Sequence, residues 1–414
     1  MESMRGNGKQ LVVIGGGAAG FFCAVNAARQ NPSLNVTLLE KTSKLLSKVK
    51  ISGGGRCNVT HHCFDISEMI RKYPRGANFL KKAFHQFFTT DTIRWFEERG
   101  VALKAEADGR MFPVTDSSGT IIDCLMNEVN PHHVEIIMNA EVRSIRKESA
   151  TFLVELAHQR MVTSDIVCIA CGGYNKSATF EWIRELGHKI EAPVPSLFTF
   201  NIPGHPITHL MGVTVPDTRV KIVGSKLAER GPVLITHWGL SGPAVLRLSA
   251  WGARELAVCS WQFAIVINWL PDFNENSLKE RFQHLRIESA SQKIINKNAV
   301  GLPQRLWQFL GEQSGVLENM RWADLPIKVQ NQFIRNLVNY ELVIKGKTTF
   351  KEEFVTAGGV LLNEIDVNTM QSKIVPGLYF AGEVMNVDGI TGGFNFQHAW
   401  TSGWISAKAI AQSF

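Results

Sequence analysis

The chain has 414 residues, enough for two or three domains at roughly 150 residues each. Hydrophobic residues make up 45% and charged residues 20%, which excludes a disordered or fibrous chain. The net charge of +7 is scattered, no apolar run suffices for a membrane helix, no signal-like segment opens the chain, and seven cysteines suit a reducing compartment, so a cytoplasmic globular protein is expected.

Leu11-Val12-Val13-Ile14 is a continuous apolar run, the pattern of a parallel strand covered on both faces. It ends in Gly15-Gly16-Gly17-Ala18-Ala19-Gly20, a G-x-G-x-x-G turn, and Phe21 to Gln30 carries alanines at helical spacing. Val36 to Leu39 reads as a second strand that stops at Glu40. In this order Gly15 makes the tight turn, Gly17 lets backbone approach a pyrophosphate, and Gly20 lets the helix pack on the strand. The helix N-terminus offers N–H groups and partial positive charge to the phosphates. Glu40 can accept hydrogen bonds from ribose hydroxyls and would repel a 2′-phosphate, which favours FAD or NAD over NADP. A glycine loop of chance composition would lack the flanking strand, helix and acid.

Next comes Ser52-Gly53-Gly54-Gly55-Arg56-Cys57-Asn58, preceded by Lys41, Lys44, Lys48 and Lys50. Three consecutive glycines do not suit a helix or strand interior, but they allow backbone to press against a flat or anionic group. Arg56 could clamp a phosphate or carboxylate; a flexible surface loop is the plainer alternative. Further on, Ile166 to Ala170 is strand-like and ends at Cys171-Gly172-Gly173, and Ser177 to Leu186 looks helical.

Four prolines between Pro193 and Pro206 mark a boundary. Short runs such as Val213-Thr214-Val215 and Trp261 to Trp269 then suggest a β-rich domain. From Ser277 to Tyr340 the apolar spacing turns helical, and from Phe350 strand-like runs return. Gly377 to Glu383 reads as a strand stopping at a glycine and an acid. A glycine-rich turn, Thr391-Gly392-Gly393-Phe394-Asn395, leads to a helix from about His398 to Gln412. The expected fold is α/β: a discontinuous Rossmann-like FAD-binding domain, 1–195 plus 346–414, interrupted by a β-rich domain, 196–275, and a helical insert, 276–345. No 20–50-residue repeat is visible.

These segments resemble two-dinucleotide-binding-domain flavoproteins and, within them, the BaiN-like (aminoacetone-oxidase-like) NAD(P)/FAD-dependent oxidoreductases. The motifs that carry the resemblance are Lys50 to Asn58, Gly109 to Pro113, Thr236 to Pro243, Thr356 to Val360 and Thr391 to Gln397, in that order. The resemblance implies FAD held by Gly15, Gly17, Ala18, Ala19, Gly20, Glu40 and Lys41 at its ADP half. Ser52, Gly53, Gly54, Arg56, Cys57 and Asn58 would lie by the flavin and Val142 by the adenine. Ala170, Cys171 and Gly172 would cover the nucleotide, and Gly382, Glu383, Gly393, Phe394 and Asn395 would reach pyrophosphate, ribitol and ring. Two positions depart from the usual pattern: Glu383 stands where Asp is common, and Cys171 where Thr is common.

The resemblance implies hydride transfer through flavin N5 to or from a small organic substrate, either reducing an enone C=C bond or oxidising an amino ketone. A nicotinamide donor, if used, binds transiently, because no second glycine fingerprint appears between 150 and 350. Arg56, Cys57, His237 and His398 are the catalytic candidates. Other readings stay open. Cys57 and Cys63 could form a disulfide-reductase pair, though five residues separate them where four are typical. Cys57, His61, His62 and Cys63 could bind zinc, but no distal ligand pair is visible and no metal is expected. Cys168 and Cys171 match C-x-x-C but lie on an apolar strand. A flavin-dependent tRNA-modifying or RNA-binding protein is a further alternative. The lysines from Lys41 to Lys50 read as solvated surface, so no nucleic-acid or membrane partner is expected. The residues fix no oligomeric state.

Overall fold

The computed structural model describes residues 8–296, 298–348 and 355–413; Phe350, where the sequence resumes strand-like runs, lies outside them. The chain divides into two compact units, Met1–Pro195 with Phe350–Phe414, and Ser196–Thr349.

In the first unit, β1 (Gln10–Ile14) runs into α1 (Ala18–Gln30) and then β2 (Asn35–Leu39). α2 (Ser47–Gly55) follows, then β3 (Glu135–Ile137) and β4 (Ile166–Ile169). These four strands and a terminal strand, Leu378–Phe380, form one parallel sheet with β1 at its centre. Val13 pairs with Cys168 on one side and Leu38 on the other, and Val167 pairs with Leu378. The late strand therefore enters the sheet of the first glycine turn. Leu11, Val13, Leu38, Cys168 and Phe380 are fully buried, as their unbroken apolar runs require.

A terminal helix, Phe394–Gln412, lies along α1. A Cβ at Gly403 would come within 2.8 Å of the Ala19 carbonyl oxygen, so the missing side chain sets how near the helices lie. Phe22 sits between Trp95 and Trp400, with ring centroids 4.6 and 5.2 Å away. Burying aromatic rings of this kind stabilises the unit by roughly 1.5–3 kcal/mol each. The terminal helix begins a full turn earlier than His398. Gly393, at φ +91°, reverses the chain just before it, so Phe394 to Gln397 belong to the helix and not to the turn. In α2 the first turn is helical, whereas Gly53, Gly54 and Gly55 take φ of +59°, +71° and +85°.

The second unit contains a seven-stranded antiparallel sheet. Its central strands are β5 (Thr214–Ile222), β6 (Ala228–Ile235) and β7 (Gln262–Asn268). Helices α3 (Glu275–Glu288), α4 (Gln304–Gln313) and α5 (Ile327–Val338) follow before the edge strand β8 (Tyr340–Lys345). The β-rich segment 196–275 and the helical segment 276–345 close on one core, in which Val220, Ile265 and Leu342 share a cluster with Phe282, Trp307, Trp322 and Phe333. Among the described residues no helix is long and apolar enough to cross a membrane.

Candidate cofactor site

The three fingerprint glycines have different reasons to be glycine. Gly15 takes φ +119°, and a Cβ there would lie 2.4 Å from the Ala170 carbonyl oxygen. At Gly20 a Cβ would lie 1.9 Å from the Gly15 carbonyl oxygen. The fold itself demands both. Gly17 is in ordinary extended backbone, φ −96° and ψ −172°, and beyond its two chain neighbours no described atom lies within 4 Å of the place its Cβ would take. It precedes α1, whose first turn has neither a side-chain cap nor an acidic residue. Open space before uncapped N–H groups is what a pyrophosphate needs, so these residues fit a dinucleotide.

Glu40, at the end of β2, is fixed by the same turn. Its Oε2 accepts from the Gly16 N–H at 2.9 Å, and its Oε1 accepts from the Thr42 N–H and hydroxyl, both at 2.9 Å. Lys41 is exposed and carries its ammonium 5.5 Å from the centre of the Tyr174 ring. Val142 opens a strand whose pairing slips by one residue before Ser144. Beyond β4, Gly172 at φ +76° also faces open space, whereas a Cβ at Gly173 would meet Thr356 at 2.6 Å. Burial pushes the Cys171 thiol up to about 11.

The Ser52–Asn58 loop and the terminal glycine turn come together. With its amide oriented to satisfy both neighbours, Asn58 accepts from the Gly393 N–H at 2.9 Å and donates to the Thr60 carbonyl at 3.0 Å. The Trp400 indole N–H donates to the Val59 carbonyl at 2.9 Å, and the Thr60 hydroxyl donates to Gln397 at 2.6 Å. Asn395 bonds both the N–H and the carbonyl of Gly389, at 2.8 and 2.9 Å, which holds the turn shut behind Phe394. His61, whose sequence context suggests only a zinc ligand, also belongs to this cluster. Its ring stacks on Phe394 with centroids 4.6 Å apart, and its Nδ1 lies 3.0 Å from the Gly392 carbonyl oxygen. Burial lowers its pKa. Its place two residues before Cys63 gave no hint of a contact with residues over 300 positions away.

Gly382, at φ +76°, packs against Ala19 in the first turn of α1, where a Cβ would come within 2.7 Å. Its N–H donates to the Ser402 hydroxyl at 2.9 Å. The Glu383 carboxylate has protein partners on both oxygens: the Thr356 N–H at 2.8 Å and the Lys48 ammonium at 2.6 Å. The longer arm of Glu is thus spent bridging α2 to this segment.

The four catalytic candidates occupy four different environments. Arg56 pairs with Glu106 at 2.6 Å and stacks over Phe112 at 4.0 Å, so its guanidinium already holds a carboxylate. Cys57 is fully buried, and desolvation pushes its thiol up to about 12, which leaves it protonated and unsuited to a nucleophile or disulfide exchange. All seven cysteines are free. His237 is exposed in the second unit, against Trp238. His398 is 1% exposed, its Nε2 lies 3.1 Å from the Gly382 carbonyl oxygen, and burial depresses its pKa to about 4. The ring is therefore neutral near pH 7, and its Nδ1 has no hydrogen-bond partner among the described residues. No group of His, Cys, Asp and Glu able to hold a metal ion occurs among them either.

A family model described as the HI0933-like protein Rossmann domain matches residues 9–409. The chain belongs to this family. Over nearly its whole length the chain is similar to several proteins of stated activity. The ribosomal RNA dihydrouridine synthase of Escherichia coli (strain K12) is 32% identical over 410 residues, 96% of this chain and 97% of that protein. The 3-dehydro-bile acid delta(4,6)-reductase of Clostridium scindens is 27% identical over 412 residues, 97% and 99% of the two. In fold, the chain resembles the 3-ketosteroid-delta4-(5alpha)-dehydrogenase of Rhodococcus jostii RHA1, with a TM-score of 0.52 at 12% identity and 99% of each chain covered. The HI0933-like chain is an FAD-dependent oxidoreductase.

Proposed function

We propose that this enzyme reduces a carbon–carbon double bond conjugated to a carbonyl group, with a reduced nicotinamide as transient electron donor. The observation that carries the reading is the chemistry of the site's side chains. Burial pushes the Cys57 and Cys171 thiols up to about 12 and about 11 and the His398 imidazole down to about 4, so none of these three suits covalent catalysis and a flavin would carry the chemistry while they help to orient it. The names of both relatives fit: dihydrouridine is uridine saturated at the base's C5–C6 bond, which is conjugated to a carbonyl, and a delta(4,6)-reductase acts on double bonds conjugated to a 3-oxo group.

FAD, when bound and reduced, supplies the hydride to the β-carbon, while the α-carbon takes up a proton. The first turn of α1, with Gly17, Ala18 and Ala19, would hold the pyrophosphate, and Glu40 the ribose hydroxyls. Ser52, Gly53, Gly54 and Asn58 would flank the flavin, and Ala170, Gly172 and Gly382 the nucleotide. The uncapped N-terminus of the terminal helix, at Phe394 and Asn395, would stabilise negative charge gathering on the ring.

Of the two substrate classes, uracil within RNA is favoured by the distribution of charge. Residues 196–349 hold 17 Lys and Arg against 11 Asp and Glu, a net +6, whereas the other unit holds 27 against 26, a net +1. A steroid gives no reason for such an imbalance; a polyanion does.

Anaerobic titration with NADH and NADPH, followed by reoxidation with either a steroid enone or an unmodified ribosomal RNA transcript, tests the reading. Reoxidation by RNA with gain of dihydrouridine is expected. A reduced flavin that only oxygen reoxidises would end it.

A further inference from the structure

Resting on the RNA reading, we propose that the groove between α3 and α5 of the second unit is a docking site for an RNA phosphate backbone. Leu278, Phe282 and Leu285 fix the rotation of α3 by entering the core. That leaves Lys279, Gln283 and Arg286, at i, i+4 and i+7, as a stripe along the flank of the buried face. Across from them, α5 buries Phe333, Ile334 and Leu337 and turns Ile327, Gln330 and Asn331 to the same groove. The groove measures about 400 Å³.

Its lining holds two cations, three carboxamides and an isoleucine, with no carboxylate among the described lining residues. Arg286 donates to the Gln330 side-chain oxygen at 2.9 Å and to the Ala323 carbonyl at 3.5 Å, so two of its five N–H donors hold the guanidinium in place against the helices. α3 also carries Glu275, Glu280 and Glu288, none of which lines the groove, and Glu288 is paired with Arg281 at 3.2 Å. Cations beside carboxamides suit a sugar–phosphate chain: the charges meet phosphate, and the amides can bond ribose and base edges without repelling it. Ile327, 70% exposed, adds apolar surface for a sugar or base. The surrounding unit's net +6 supplies the long-range attraction.

The test is fluorescence anisotropy of an unmodified ribosomal RNA transcript against holoenzyme at stepped potassium chloride. In Lys279→Gln/Arg286→Gln, the slope of log K on log salt should fall by about 1.5, the release from two phosphate contacts, with affinity down roughly tenfold. Flavin absorbance and melting temperature report that the variant is folded. Because Arg286 also braces α5, Lys279→Glu alone must weaken RNA binding too. Lys81→Gln/Lys82→Gln, at the exposed lysines of the helix Ala77–Ala83 in the other unit, should keep the wild-type slope. Equal RNA binding by wild type and both groove variants overturns the groove and leaves the RNA reading standing. Wild type that binds no RNA overturns both. Polyglutamate that displaces RNA and binds as tightly overturns the assignment in favour of an acidic protein partner.

Discussion

The side chain of Asn58 accepts a hydrogen bond from the backbone N–H of Gly393, at 2.9 Å, and this one contact ties the loop after α2 to the first residue before the terminal helix. Asn58 is 8% exposed, so the Gly393 N–H has no ready substitute partner in water. Asn58→Ala should cost about 1–3 kcal/mol, the penalty for leaving a buried donor unmet. It should also loosen flavin, and urea denaturation with flavin release monitored by fluorescence checks both. Unchanged stability and retention would mean the contact is incidental.

Gly17→Val separates binding from folding. The extended backbone and open space at this position should let the apoprotein fold with its melting temperature little changed while flavin retention is lost. Gly20→Ala should do the reverse and destabilise the fold, because its Cβ would press on the Gly15 carbonyl. Circular dichroism melts beside flavin absorbance distinguish the two.

His398 predicts an acid sensitivity. Its folded pKa, near 4, lies below the ordinary histidine value of 6.5, so the unfolded chain binds the extra proton and stability falls as pH drops from 6.5 towards 4. The full loss is on the order of 3 kcal/mol. His398→Asn should flatten that part of the stability–pH curve, which denaturant titrations at stepped pH would measure. An equally steep curve in the variant would assign the effect elsewhere.

The thiols should differ sharply in reactivity. Cys259 is exposed, whereas Cys57 is buried with its pKa pushed up to about 12. Iodoacetamide at pH 8 should label Cys259 rapidly and leave Cys57 intact, as peptide mass mapping would report. Labelling of both at similar rates would contradict the buried-thiol assignment.

How far the sequence could be read depended on the range of each pattern. The strand, glycine turn, helix and acid from residue 10 to 40 are local, and composition with spacing defines them. The terminal helix starts a turn before the position its sequence suggests, because Asn395 and Gln397 look like turn residues but bond Gly389 and Thr60. His61 on Phe394, and Glu383 reaching back to Lys48, depend on packing between distant segments and leave no trace in spacing. The charge imbalance is legible in principle but diffuse. Lys41 to Lys50 stand out as a local run, whereas the excess in the second unit is spread over 154 residues between Ser196 and Thr349.

The pairing of Val167 with Leu378 has a consequence for biosynthesis. The sheet that carries the first glycine turn is completed by a strand translated more than 360 residues after Gly15, so until that strand leaves the ribosome the chain has half a nest for its prosthetic group. Residues 196–349 have all seven strands of their own sheet and can settle while synthesis continues. A product cut short before Leu378 would lack that strand and the helix Phe394–Gln412, and it is expected to stay colourless and partly folded.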